Sequence, residues 1–274
     1  MKKQVLFKRT FVTVCTALLC AMTATAQAGK SGAASKDAGT DAVVVGTVLT
    51  GWQNPKGEIV IPDGVTDIAE NVFANCKDIT SVVVPESVVS IGKGAFSKCD
   101  KLKSVDFSCT DLQIIGNGAF QDCSSLASIT LPEGLTVIGE YAFANCVALT
   151  SAKFPDTLLT IGKAAFYNCK TLPVVKIPDS VVNINEAAFS QCTALRSLTI
   201  GNGVTRIKHE TFKSCVGLIK VTIPDNVTTI YTQAFRECSN LAVVSATGEW
   251  NTEITPSTLT SDTSWHDDRY YSRK

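Results

Sequence analysis

The sequence predicts a repeat solenoid of about eight coils with a 23-residue period. A parallel β-sheet is expected along one face and short helical or 3₁₀ turns on the other. Three observations carry this. Phe73, Phe96, Phe120, Phe143, Phe166, Phe189, Phe212 and Phe235 stand 23 residues apart, with one step of 24. Each is followed three positions later by a cysteine: Cys76, Cys99, Cys123, Cys146, Cys169, Cys192, Cys215 and Cys238. A proline recurs between two apolar pairs, at Pro62, Pro85, Pro132, Pro155, Pro178 and Pro224. A fixed period of about 20–29 residues marks stacked coils, none of which can bury its apolar face alone.

The chain is expected to begin with a leader. Lys2, Lys3, Lys8 and Arg9 are followed by an apolar run from Phe11 to about Met22, then by Ala26-Gln27-Ala28. That is the pattern of a secretory signal over residues 1–28, too short and wrongly flanked for a lasting membrane span. Residues 29–42 are small and polar and read as a flexible spacer. Residues 43–60, with Trp52, are expected to cap the solenoid, which runs from 61 to 245; residues 246–274 supply a C-terminal cap and polar tail. All 25 acidic but only 21 of the 25 basic residues follow the leader, so the exported part carries a net charge of −4. Nucleic-acid binding needs a basic footprint and is not expected.

One unit reads IPDSVVNINEAAFSQCTALRSLT, Ile177 to Thr199. Its L-x-x-V-x-I segment, as in Leu218–Ile223, alternates like a strand. Proline ends the strand because it has no N–H for the next ladder bond. An Asp or Glu then opens a turn, V-x-x-I adds a second apolar pair, and x-x-x-A-F-x-x-C makes the short turn with Phe inward. Each buried Phe contributes roughly 1.5–3 kcal/mol. Strands stacked about 4.8 Å apart give roughly 40 Å of rod for eight coils. The third coil, FSCTDLQIIGNGAF, lacks the Pro-acid turn and gains a residue, which introduces Cys109. A later coil substitutes Gly201-Asn202, and the last ends without proline in Ala246-Thr247-Gly248.

On these residues the chain is similar to the BspA-type leucine-rich repeat, whose pattern is IPxxVxxIGxxAFxxCxxLxxV, from about residue 58 to 245. Six prolines, eight Phe-x-x-Cys pairs and the period agree together. The resemblance implies a leucine-rich repeat solenoid with one parallel sheet. It also implies a bacterial surface or secreted protein, several relatives being adhesins for host or partner-cell proteins.

Four groups are candidates for chemistry. The cysteine column invites a nucleophile reading, but a catalytic thiol needs a nearby base, and the chain has only His209 and His266. Zinc needs converging pairs such as C-x₂-C, which the column lacks. Two readings of the column stay open: a buried ladder of free thiols with weak S–H bonds, and disulfides, permitted by export and by neighbour spacing but opposed by side chains pointing one way. Cys109 lies outside the column as a candidate surface thiol. The acidic column Asp63, Glu86, Glu133, Asp156, Asp179 and Asp225 offers one carboxylate per coil, thin for Ca²⁺ and suited to turns. His209-Glu210 starts like H-E-x-x-H, but position 213 is lysine. The fourth group is the outward strand positions: Ser104, Asp106, Ser128, Thr130, Ser151, Lys153, Val174, Lys176, Ser197, Thr199, Lys220 and Thr222, extended at the ends by Ser81, Val83, Val243 and Ser245. Solenoids bind partners on such faces. The expectation is a non-enzymatic, cofactor-free, exported binding module for an extracellular protein or glycan, with a passive envelope protein as the alternative.

Overall fold

The computed structural model describes residues 41–107, 111–231, 233–251, 253–260 and 270–274. The predicted leader, most of the spacer, Cys109 and His266 lie outside the described residues.

Each coil contributes a strand with the sequence of the predicted L-x-x-V-x-I segment. Nine such strands stack in order: Gly57–Val60, Ile79–Val83, Ser104–Asp106, Ser128–Thr130, Ser151–Lys153, Val174–Lys176, Ser197–Thr199, Lys220–Ile223 and Val243–Ala246. They pair in parallel and in register, Ser81 with Ser104, Ser128 with Ser151, and Val174 with Ser197 and then Lys220. The first strand falls inside the segment expected to be a cap, so the solenoid begins one rung earlier than its first proline.

This sheet is interrupted twice, into groups of three, two and four strands. The first break follows the coil with the extra residue. The second has a covalent cause. The Thr150 N–H donates to the Ala127 carbonyl at 2.8 Å, but the equivalent residue one coil on is Pro173, which has no N–H to donate. The ladder resumes where Arg196 N–H reaches the Pro173 carbonyl at 2.8 Å.

The single sheet expected from sequence is joined by a second. The V-x-x-I pairs form two-residue strands such as Ser90–Ile91, Val137–Ile138 and Thr160–Ile161, which extend an N-terminal hairpin (Ala42–Val45 with Val48–Trp52) into an eight-stranded sheet. Two residues are too few for a periodicity to distinguish strand from turn. The other expected feature, a helical or 3₁₀ turn, takes a different form. The N–H to carbonyl bonds do span three residues, as in Ala95 to Gly92, Ser97 to Gly94 and Cys99 to Phe96. Gly94 and Lys98, both at φ 61°, place left-handed residues between them. Left-handed residues cannot continue a right-handed helix, so the segment becomes linked β-turns. These turns also pair between coils: Phe96 N–H donates to Ala119 O at 2.8 Å and Lys98 N–H to Gln121 O at 2.7 Å.

The core is a column of rings. From Phe73 to Phe235 successive phenylalanines are stacked, with centroids 4.9–5.7 Å apart and planes within 18° of parallel. Such offset pairs add stability beyond their burial. Trp52 from the hairpin covers the first ring at 5.5 Å. At the other end, Tyr270–Ser272 pairs antiparallel with Thr229–Tyr231, and Leu259 of the short helix Pro256–Thr260 is buried.

Candidate functional site

The cysteine column lies beside the ring column. From Cys99 onward every cysteine of the column is fully buried. Each donates to the carbonyl oxygen of the phenylalanine one coil earlier: Cys99 to Phe73 at 3.1 Å, Cys146 to Phe120 at 3.3 Å, Cys192 to Phe166 at 3.3 Å and Cys238 to Phe212 at 3.1 Å. The same carbonyl accepts the N–H of its own coil's cysteine, as Phe166 O does from Cys169 N at 3.3 Å. Both lone pairs are thereby occupied. Cys76 heads the column with no complete coil before it; it is only half-buried, and its Sγ lies 3.9 Å from Ala74 O. The eight column cysteines are free. Burial pushes the Cys99 and Cys192 thiols up to about 12. A thiol held protonated is neither a nucleophile nor a metal ligand at neutral pH.

The acidic column serves the turns between the two sheets. Asp179 Oδ1 accepts the Asn202 N–H at 2.8 Å from the next coil, and Asp225 accepts from Thr247 and stands 3.9 Å from an Arg273 nitrogen. The residue after the acid also links coils: Thr157 Oγ1 accepts from Gly134 N at 3.0 Å and donates to Leu135 O at 3.0 Å. Among the described residues no three His, Cys, Asp or Glu side chains gather as a metal site. His209 sits against Tyr231, ring centroids 4.4 Å apart, beside a cavity of about 350 Å³ also lined by Glu186, Lys208 and Tyr270.

The outward strand positions form two columns, paired in register within each of the three groups of strands. Ser104, Ser128, Ser151, Val174, Ser197 and Lys220 occupy the first; Asp106, Thr130, Lys153, Lys176, Thr199 and Thr222 the second. Ser151 is half-buried and the other eleven are exposed. Between the columns lie core residues, Val105, Ile129, Val175, Leu198 and Val221, all buried. The pleat therefore fixes which side chains face out, and the parallel ladder fixes their spacing.

One part of this face was missed by reasoning from sequence. Around the first four strands, Glu58, Glu86, Asp106, Asp111 and Glu133 line a groove of about 1030 Å³, with no basic residue among the described residues that line it. Two features concealed it. Glu58 lies in the segment that the sequence reads as a cap, and the column acids read as turn residues or as a thin Ca²⁺ ligand set. The alignment of Glu58 with Ser81 and Ser104 was the available signal, since it continues the repeat one unit upstream. Lys153, Lys176 and Lys220 lie in the C-terminal half of the same face. None of the three is in an ion pair among the described residues.

Comparison with known proteins agrees with this architecture. The BspA type leucine rich repeat region matches in six copies, over residues 55–173 and 160–261. A leucine rich repeat protein from T. pallidum is similar at 28% identity and a TM-score of 0.58, covering 73% of this chain and 83% of its own. A leucine-rich repeat protein from Bacteroides ovatus shares the fold at 24% identity and a TM-score of 0.50, covering 77% of this chain and 68% of its own. No curated protein matches the chain. With the repeat pattern, the parallel ladders and the profile match all covering the same residues, the chain belongs to the BspA type leucine rich repeat family.

Proposed function

We propose that this protein is an exported, non-enzymatic binding module of adhesin type, which recognises an extracellular protein or glycan through its strand face. The observation that carries this reading is the pair of outward columns: exposed hydroxyls, and lysines in no ion pair among the described residues, held at the strand spacing. A surface ordered before binding loses little side-chain and backbone freedom when a partner docks. The burial and hydrogen bonding of the thiols support the non-enzymatic part of this reading, and the signal-like pattern of residues 1–28 supports export. No helix among the described residues is long and apolar enough to cross a membrane.

The test is capture of immobilised extracellular-matrix proteins, glycans and partner cells by the purified protein and by the triple variant Lys153→Glu, Lys176→Glu, Lys220→Glu. Loss of capture by a variant that keeps the wild-type circular dichroism supports the reading. Undiminished capture places the binding surface elsewhere, and no capture by either protein favours a passive envelope role.

A further inference from the structure

The strand face has eighteen outward positions on nine strands, and only five carry charge: Glu58, Asp106, Lys153, Lys176 and Lys220. Their order is not arbitrary. Glu58 and Lys220 lie in the same column, on the first and eighth strands. Asp106 and Lys176 lie in the other column, on the third and sixth. Consider a twofold axis running along the strands, midway between the fourth (Ser128–Thr130) and fifth (Ser151–Lys153). It exchanges the first strand with the eighth and the third with the sixth, while keeping each column on itself. Glu58 then meets Lys220, and Asp106 meets Lys176. On the fifth strand Lys153 meets Thr130 of the fourth, whose coil carries Glu133 three residues on. The two acids of the columns and all three lysines are accounted for by one operation. Facing two copies with coils in the same order would instead exchange the columns, setting Lys153 against Ser151, Lys176 against Val174 and Lys220 against Thr222, so no lysine would meet an acid.

We propose that the strand face pairs with a second copy of this chain, coil order reversed about that axis. The inference rests on the strand face being the binding surface and names a partner for it. A twofold interface is isologous, so each of the two ion pairs, Glu58–Lys220 and Asp106–Lys176, forms twice. The face specifies its partner's chemistry: acidic at one end and basic at the other, it matches itself when reversed, and its lysines form no ion pair among the described residues. Eight overlapping strands about 4.8 Å apart, each presenting about three residues, give roughly 400 Å² of face per copy. The total of roughly 800 Å² lies below the standard interface size and in the range of weak encounters. The pair is therefore a concentration-dependent, salt-sensitive one.

Sedimentation velocity over a range of protein concentrations tests this. A reversible monomer–dimer equilibrium is expected, weakened about tenfold or more between low and high salt because rim charges are screened. Asp106→Lys alone and Lys176→Asp alone should each weaken dimerisation about tenfold, since one places like charges opposite and the other does so in reverse. Both changes in one chain recreate the pair and should restore it, whereas Asp106→Lys with Lys153→Asp should not. The Glu58 and Lys220 exchange provides an independent repeat, and circular dichroism confirms that each variant is folded. A protein monomeric at every concentration, or a dimer indifferent to the exchanges, overturns the proposal. The two readings separate cleanly. Capture of a foreign ligand lost on lysine reversal in a strictly monomeric protein removes the self-pairing and keeps the binding face. Dimers that obey the exchanges, with no foreign capture, do the opposite.

Discussion

At Cys192 the thiol is enclosed by the core, donates to Phe166 O at 3.3 Å and titrates near 12 because burial disfavours the thiolate. In the unfolded chain the same thiol returns to about 9. The folded state therefore holds its proton to higher pH than the unfolded state. The resulting stabilisation is complete below about pH 9 and is lost as pH rises toward 12. Cys99 behaves alike. Chemical unfolding followed from pH 7 to 11 should show stability falling above pH 9, and Cys192→Ala should flatten that fall by up to about 1.4 kcal/mol per pH unit. Equal slopes for the two proteins would mean that the thiol ionises as readily folded as unfolded. The Phe-x-x-Cys pairs were legible in the sequence because they recur eight times. The acceptor of the thiol was not, because it belongs to the previous coil, 26 residues away for Cys192. Which atoms meet across coils depends on the inter-coil register, and no single unit contains that information.

The long strands and the ring column follow from patterns that repeat in every unit, and both were readable. The second sheet was not, since each of its strands holds two residues. The breaks in the first sheet were also hidden, although the residue responsible for one of them was in view. Pro173 sits where a donor is needed, and only the strand register reveals that need. Pro173→Thr supplies the missing N–H opposite the Thr150 carbonyl. The new bond is worth about 0.5–1.5 kcal/mol, offset by about 0.4–1 kcal/mol from the greater freedom of the unfolded chain without proline. Global stability should therefore change by less than about 1 kcal/mol. Hydrogen exchange is the sharper readout: the new amide at position 173 should be protected as Thr150 is, and the amides of Val174–Lys176 should slow. Rapid exchange at position 173 would show that the break is held open by something else, with the bulky Phe154, packed edge-on to Phe166 at 5.4 Å, the next cause to test.

A stack of coils has two ends, and each exposes an apolar rung and an unpaired strand edge unless something covers it. The N-terminal end is closed by the hairpin and Trp52. The C-terminal end depends on one side chain to an unusual degree. Arg273 Nε donates to Val227 O at 2.7 Å, Nη1 to Thr247 O at 2.5 Å and Nη2 to Pro224 O at 3.2 Å. Its guanidinium also lies over the Trp250 ring, 4.8 Å from the centroid. One planar fork thus satisfies carbonyls from the last proline turn and from the end of the last strand, and its five fixed donors are what make this possible. Arg273→Ala leaves those carbonyls to water and uncovers Trp250, at a cost of about 1–3 kcal/mol. Arg273→Lys keeps the charge but not the fork, and should recover only part of the loss. The loss should also be local at first. In a solenoid each coil contacts only its neighbours, so an uncapped end frays before the centre opens. Hydrogen exchange in Arg273→Ala should accelerate most at Lys220–Ile223 and Thr229–Tyr231 while the amides near Phe120 and Phe143 keep wild-type rates. Uniform acceleration along all coils would mean instead that the stack unfolds as one unit and that its end is not a separable cap.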